Sequence, residues 1–317
     1  MKTVATLVPP APILTEPRQV AASCPGAWSI SGSKAAAFVA LVKPRLTSLV
    51  LMTVAVGFLL GARRASHPAT LFLTLLGTGL VAGGASAWNQ YLERARDLRM
   101  RRTAGRPLPS GRLAPAEAAV FGSTILVLGL VLLALGANWM AAAVALATFL
   151  LYVGVYTPLK PATTLNTAVG AVPGALPPVI GWVAATGQLG IEAWALFLIV
   201  FLWQFPHFLA IAWIYRDDYA QAGHKMLPCV DPLGASTGRQ ATTYALALIP
   251  AGLLPAVVGL AGPYYFAGAL ALGLFYLAYA ARFWSAVSDL TARHLLRASF
   301  LYLPAMLLLL LLNPMPA

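Results

Sequence analysis

The chain has 317 residues, of which 60% are hydrophobic and only 9% charged, and it carries a formal net charge of +12. Soluble domains hold about 25% charged residues, so this chain cannot cover a water-facing surface, and its mean hydropathy of +0.79 points to lipid. The basic residues sit in short segments between apolar runs, which excludes a nucleic-acid partner and fits a membrane protein.

Residues 1–36 read as a mobile tail, because Pro9, Pro10 and Pro12 interrupt any apolar stretch early and exclude a signal peptide. Residues 37–317 then read as one domain. The apolar runs predict transmembrane helices over Leu46–Ala62, Ala69–Trp88, Ala116–Leu135, Trp139–Tyr156, Asn166–Ala184, Ala193–Tyr215, Thr242–Leu260, Tyr264–Trp284 and Leu296–Leu312. Each is close to the roughly 17–25 residues that cross a bilayer. Helices satisfy their own backbone in lipid, so the expected fold class is all-α, a polytopic bundle of about nine helices.

Nine crossings put the tail and the loops after even-numbered helices on one side. That side carries nineteen Lys and Arg and the other only Arg63 and Arg64, so the tail and those loops are expected in the cytoplasm. The two cysteines, Cys24 and Cys229, have no metal-binding spacing.

The scarce acids concentrate in two loops of this same side, after helices 2 and 6. The first reads Asn89-Gln-Tyr-Leu-Glu93-Arg-Ala-Arg-Asp97. Asn89, Glu93 and Asp97 recur every fourth residue and span roughly 80° of one helix face. Oxygen ligands so arranged suit a hard cation such as Mg²⁺, and Arg94, Arg96, Arg99, Arg101, Arg102 and Arg106 around them are donors for phosphate oxygens. An ordinary solvated helix end with ion pairs gives the same pattern. The second loop follows Pro206-His207-Phe208 and runs from Arg216-Asp217-Asp218-Tyr219 to His224-Lys225-Met226-Leu227-Pro228, a second acidic cluster. Between the two stands Tyr156-Thr-Pro-Leu-Lys160, whose lysine is either an interfacial anchor or a third member of a site.

These segments, in order, resemble the UbiA superfamily of intramembrane prenyltransferases. The first loop resembles its N-x-x-x-D-x-x-x-D signature, with Glu93 in place of the usual Asp and Ala95 where another acid often stands. Arg106-Pro-Leu-Pro-Ser-Gly, the Ala40–Arg45 stretch, Tyr156–Lys160 and Asn166–Pro178 resemble other blocks of the family. The Pro206–Pro228 stretch is similar to the haem O synthase branch, although its acids are the adjacent pair Asp217-Asp218. The match runs from about residue 38 to residue 312.

The resemblance implies farnesyl transfer from farnesyl diphosphate to haem b with Mg²⁺ as cofactor, in a multi-pass protein of the inner membrane that hands its product to a haem O-using enzyme. It implies Asn89, Glu93, Asp97 and Asp217 or Asp218 as metal ligands. It implies Arg102, Arg106, Lys160, Arg216 and Lys225 at the diphosphate. Lys160, Arg106 and His207 become catalytic candidates, with His207 either touching haem or bonding between helices. Two alternatives stand beside this. One is a prenyltransferase with an aromatic-acid or chlorin acceptor. The other is a transporter, which the near absence of ionisable residues in mid-span disfavours.

Overall fold

The computed structural model describes residues 33–62 and 67–315. Residues 1–32 of the expected tail, with Cys24, and Arg63 and Arg64 lie outside the described residues, whereas the last residues of that tail already belong to a helix that starts at Lys34. The elements, in order, are α1 (Lys34–Val42), α2 (Pro44–Ala62), α3 (Pro68–Asp97), α4 (Pro115–Gly136), α5 (Trp139–Phe149), a π-helical turn (Leu150–Tyr156), α6 (Thr157–Leu159), α7 (Asn166–Ala175) and α8 (Pro177–Thr186). There follow α9 (Ile191–Ile214), α10 (Arg216–Gln221), α11 (Leu227–Val230), α12 (Ala235–Val257), α13 (Pro263–Ser285) and α14 (Asp289–Leu312). Among the described residues nine helical stretches are long and apolar enough to cross a membrane.

Proline starts several of these helices, at α3, α4 and α13, where its missing N–H costs nothing. The expected span over Asn166–Ala184 is one crossing stretch, Asn166–Thr186, made of two helices. Pro177 and Pro178 open α8 and cannot donate back into α7, so the chain breaks at Leu176. The expected second span ended at Trp88, but α3 continues nine residues further to Asp97. That last stretch is polar in sequence yet Asn89, Gln90, Glu93 and Asp97 are buried.

Small residues set the helix spacing, as they must where lipid tails compete for apolar surface. Helices α3 and α4 pack along their lengths. A Cβ at Gly77 would stand 3.0 Å from the Gly129 carbonyl oxygen, one at Gly129 2.6 Å from that of Gly77, and one at Gly84 2.8 Å from that of Gly122. Helices α2 and α8 approach as closely, since a Cβ on Gly57 would run into the Pro178 carbonyl and one on Gly181 into that of Val54. On the other side of the bundle, Tyr265, Tyr276, Phe283 and Tyr302 form a fully buried aromatic core between α13 and α14.

The π-helical turn has a local cause. Pro158 has no N–H, and the Thr157 amide reaches back to the Tyr152 carbonyl rather than to the nearer Val153. The wider turn puts Tyr152, Tyr156 and Lys160 along one face, where they line a common cavity.

Candidate active site

At the C-terminal end of α3 lies a cavity of about 150 Å³. Its walls come from the α1–α2 junction, α3, the loop after α3, the π-helical turn with α6, and α10 with the loop after it. Four cations line it, Lys43, Arg102, Arg106 and Lys160, against the two carboxylates Glu93 and Asp97.

The loop after α3 folds back in successive turns. Thr103 Oγ1 donates to the Asp97 carbonyl at 2.9 Å, and the Arg106 amide donates to the Thr103 carbonyl. Arg106 is thereby returned to α3, where its Nη1 meets Asp97 Oδ1 at 2.9 Å and Oδ2 at 2.7 Å. Asp97 is fully buried, so this charge needs that partner. One turn earlier, Glu93 Oε1 stands 2.7 Å from Lys160 Nζ, which also lies 4.6 Å above the Tyr156 ring. Burial pushes the Lys160 ammonium down, but the Glu93 carboxylate outweighs it and the net shift is upward, so Lys160 stays charged.

Asn89 completes the α3 face. Its Nδ2 donates to Thr157 Oγ1 at 3.1 Å, and Thr157 Oγ1 spends its own hydrogen on the Tyr152 carbonyl at 2.9 Å. Thr157 can therefore only accept from Asn89, which fixes the amide with its Oδ1 free. One amide oxygen and two carboxylates are an all-oxygen donor set on one helix face, which fits a hard divalent cation whose remaining positions go to phosphate and water. No group of three or more His, Cys, Asp or Glu forms a metal cage among the described residues.

Lys43 enters from the α1–α2 junction with a left-handed backbone, φ 51°, uncommon outside glycine. Burial first, then the charges of Arg106 and Lys160, push its pKa down to about 7, with Glu93 and Asp97 opposing. Strain of this kind persists where the surroundings enforce it, and ligand clamps are common places for it.

Six expected site residues thus meet in one place: Asn89, Glu93, Asp97, Arg102, Arg106 and Lys160. The second loop contributes differently from expectation. Tyr219, His224 and Met226 line the cavity, whereas Asp217, Asp218, Arg216 and Lys225 do not. Arg216 is turned away to Asp289 on α14, at 2.8 Å, and Asp217 and Lys225 are exposed. The reason is the register of the short α10, which turns Tyr219 rather than its acids inward; Tyr219 Oη accepts from Arg102 Nη2 at 3.1 Å. Asn166, fully buried at the start of α7, fastens this loop. Its Nδ2 donates to the Thr163 carbonyl at 2.6 Å and the Lys225 carbonyl at 2.9 Å, while the Lys225 amide donates to the Lys160 carbonyl at 2.8 Å. His224 is buried, which drops its pKa to about 4, the pull of Glu93 upward being outweighed by burial together with Lys160 and Arg96.

His207 does not line this cavity. It sits on α9 with Nδ1 2.7 Å from Ser299 Oγ of α14, and Ser299 Oγ donates to the Leu296 carbonyl at 2.6 Å. The serine hydrogen is spent, so the imidazole donates from Nδ1 and keeps its lone pair on Nε2. The ring stacks on Trp203 at 4.8 Å, with Phe208 and Phe300 edge-on to it.

Lys43, Tyr152, Tyr156, Tyr219 and His224 were not singled out as site residues from sequence. Lys43, Tyr156, Tyr219 and His224 stand within the family-like stretches, and the period of four through Tyr152, Tyr156 and Lys160 is a usable signal for the two tyrosines.

The model of the UbiA prenyltransferase family matches residues 50–303. A protoheme IX farnesyltransferase of Solibacter usitatus is 48% identical over 285 residues, covering 87% of this chain and 98% of the relative. Proteins of the same name from Salinibacter ruber and Myxococcus xanthus are 44% and 43% identical, covering 87% and 88% of this chain and 98% and 94% of theirs. Among solved structures, one described as a digeranylgeranylglyceryl phosphate synthase superposes with a TM-score of 0.75 at 18% identity, covering 88% of this chain and 98% of that one. A UbiA homolog from Archaeoglobus fulgidus bound to GPP and Mg²⁺ gives 0.62 at 16%, covering 86% and 99%. These neighbours share the fold of the bundle, and the matched family model spans most of the sequence: the chain belongs to the UbiA prenyltransferase family.

Proposed function

We propose that the chain transfers the farnesyl group of farnesyl diphosphate to a vinyl group of haem b, with addition of water, giving haem O and diphosphate. The observation that carries the donor half is the cavity in which Glu93 pairs with Lys160 and Asp97 with Arg106 while Lys43 and Arg102 stand by as further cations. The acceptor half rests on the relatives named protoheme IX farnesyltransferase, 43–48% identical over nearly their whole length.

Asn89 Oδ1, Glu93 and Asp97 would hold Mg²⁺, which supplies positive charge for the departing diphosphate. Lys160 and Arg106 then turn from these carboxylates to phosphate oxygens, and Arg102 and Lys43 add charge where the anion develops. The allylic C–O bond breaks and its electron pair leaves with the diphosphate. Tyr152 and Tyr156 border the carbocation with aromatic surface and no strong nucleophile. The vinyl π electrons form the new C–C bond, and water adds to the resulting cation with loss of one proton.

His207 is the residue this reading gives to the acceptor. An imidazole with Nδ1 held by Ser299 and a free Nε2 lone pair suits haem iron, and the exposed rings of Phe208 and Phe300 offer flat apolar surface beside it. The reading places the enzyme in the inner membrane with tail and cavity toward the cytoplasm, supported by the nineteen-to-two distribution of basic residues.

The test is extraction of haems from cells that lack such an enzyme and express this chain. A haem heavier than haem b by one farnesyl and one water is expected. Unmodified haem b alone, with the protein present in the membrane, contradicts the reading.

A further inference from the structure

His224 lines the cavity but takes no part in the ion pairs or in the proposed chemistry. His224 is 4% exposed, and its Nδ1 is buried with no hydrogen-bond partner. An imidazole buried in this state is costly unless something arrives to bond it. Its position is not accidental slack in a loop. Gly223, at φ 72°, turns the chain inward just before it. The His224 amide is held by the Tyr219 carbonyl at 2.9 Å, and the next amide, of Lys225, is held by the Lys160 carbonyl. The ring stands edge-on to Tyr219, centroids 6.0 Å apart. Backbone bonds on both sides and a packed neighbour thus hold the ring in the wall of the cavity that Lys43, Arg102, Arg106 and Lys160 line, with Nδ1 unpartnered behind the wall and ready to bond there only once the ring turns or a ligand enters.

The character of that cavity names the partner. Arg102, Arg106 and Lys160 outnumber the two carboxylates even with Lys43 only partly charged, so the ligand is an anion, and a neutral ring N–H bonds an anionic oxygen. Asp217 and Asp218 do not line the cavity, so from this loop the polar contacts open to a ligand there are Tyr219 and His224. We propose that His224 is a diphosphate-binding residue of this site, donating a hydrogen bond to a phosphate oxygen opposite the α3 face. It fixes the orientation of the leaving group, adding a contact from the second loop to those of Lys160 and Arg106. The proposal rests on the diphosphate reading of the cavity.

Binding of inorganic pyrophosphate with Mg²⁺ to the purified full-length chain in detergent, by calorimetry, tests it without any acceptor or turnover. His224→Ala should weaken pyrophosphate about tenfold, the effect of losing one hydrogen bond to a charged group, and raise KM for farnesyl diphosphate while leaving KM for haem b unchanged. His224→Gln, which keeps a side-chain N–H, should stay within about threefold of wild type, and His224→Phe, which fills the space without a donor, should bind as weakly as the alanine variant. Equal pyrophosphate affinity in wild type and a folded alanine or phenylalanine variant overturns the proposal and leaves the diphosphate reading intact. Restoration by Phe and not by Gln also overturns it, because the ring would then serve packing alone. Absence of pyrophosphate binding in the wild type overturns both together.

Discussion

Arg106 Nη1 bonds both carboxylate oxygens of Asp97, at 2.9 and 2.7 Å, across a loop of tight turns that begins where α3 ends. The pair joins the last residue of the α3 acidic face to the loop that follows it, and it neutralises a fully buried carboxylate.

On the proposed function, Asp97→Asn should lower kcat more than tenfold at saturating Mg²⁺ while the protein still elutes as a single folded species, because it removes a charge proposed to hold the metal at the leaving group. Arg106→Gln should do likewise, and the double variant should lose little beyond either single one, since both act on the same leaving group. Steady-state rates with size-exclusion profiles check this. Retention of more than about a tenth of wild-type turnover in Asp97→Asn would remove Asp97 from the metal site.

Gly181→Val should destabilise the bundle without touching the cavity. Its side chain would run into the Val54 carbonyl across the α2–α8 contact, and backbone cannot yield as a side-chain tip can. Overpacking of this kind costs about 1–3 kcal/mol. Thermal unfolding in detergent should show a lowered midpoint, and an unchanged midpoint would mean that the two helices are further apart than described.

Much of this arrangement was legible in the sequence, for identifiable reasons. Hydropathy located every span, because charge is nearly absent from them, and the four-residue period exposed Asn89, Glu93 and Asp97 as one face. Hydropathy also ended the second span at Trp88, because Glu93, Arg94, Arg96 and Asp97 look like a loop. It cannot see that Lys160 and Arg106, distant in the chain, neutralise the acids and let α3 run on. The two acids of α10 lie outside the cavity lining for a related reason. Which of Asp217, Asp218 and Tyr219 faces the cavity is decided by contacts from distant segments, since Arg102 holds the Tyr219 hydroxyl and Asn166 fastens the loop that follows α10 at the Lys225 carbonyl. His224 looked like an ordinary loop residue because burial by tertiary folding leaves no local pattern.

Metal removal gives a separate check. The Asn89, Glu93 and Asp97 oxygens suit Mg²⁺ only together with phosphate and water, so chelation with EDTA should abolish turnover and added Mg²⁺ should restore it. Full activity after exhaustive chelation would take the metal out of the account.

Topology should follow the basic residues. In a chain with Cys24 and Cys229 replaced by serine, Leu189→Cys, between α8 and α9, should react with an impermeant thiol reagent from the periplasmic side. Leu233→Cys, before α12, should react only from the cytoplasmic side; both are exposed. Reversed labelling would invert the assigned orientation, and labelling of both from one side would contradict the order of crossings.

Competition between two acceptors decides which one the chain prenylates. Purified chain is given farnesyl diphosphate and Mg²⁺ with haem b and 4-hydroxybenzoate together, and the products are read by mass spectrometry. The account predicts a haem heavier by one farnesyl plus one water, no prenylated benzoate, and a greater loss of haem turnover than of farnesyl diphosphate binding in His207→Ala. Prenylated 4-hydroxybenzoate beside unmodified haem b would contradict it.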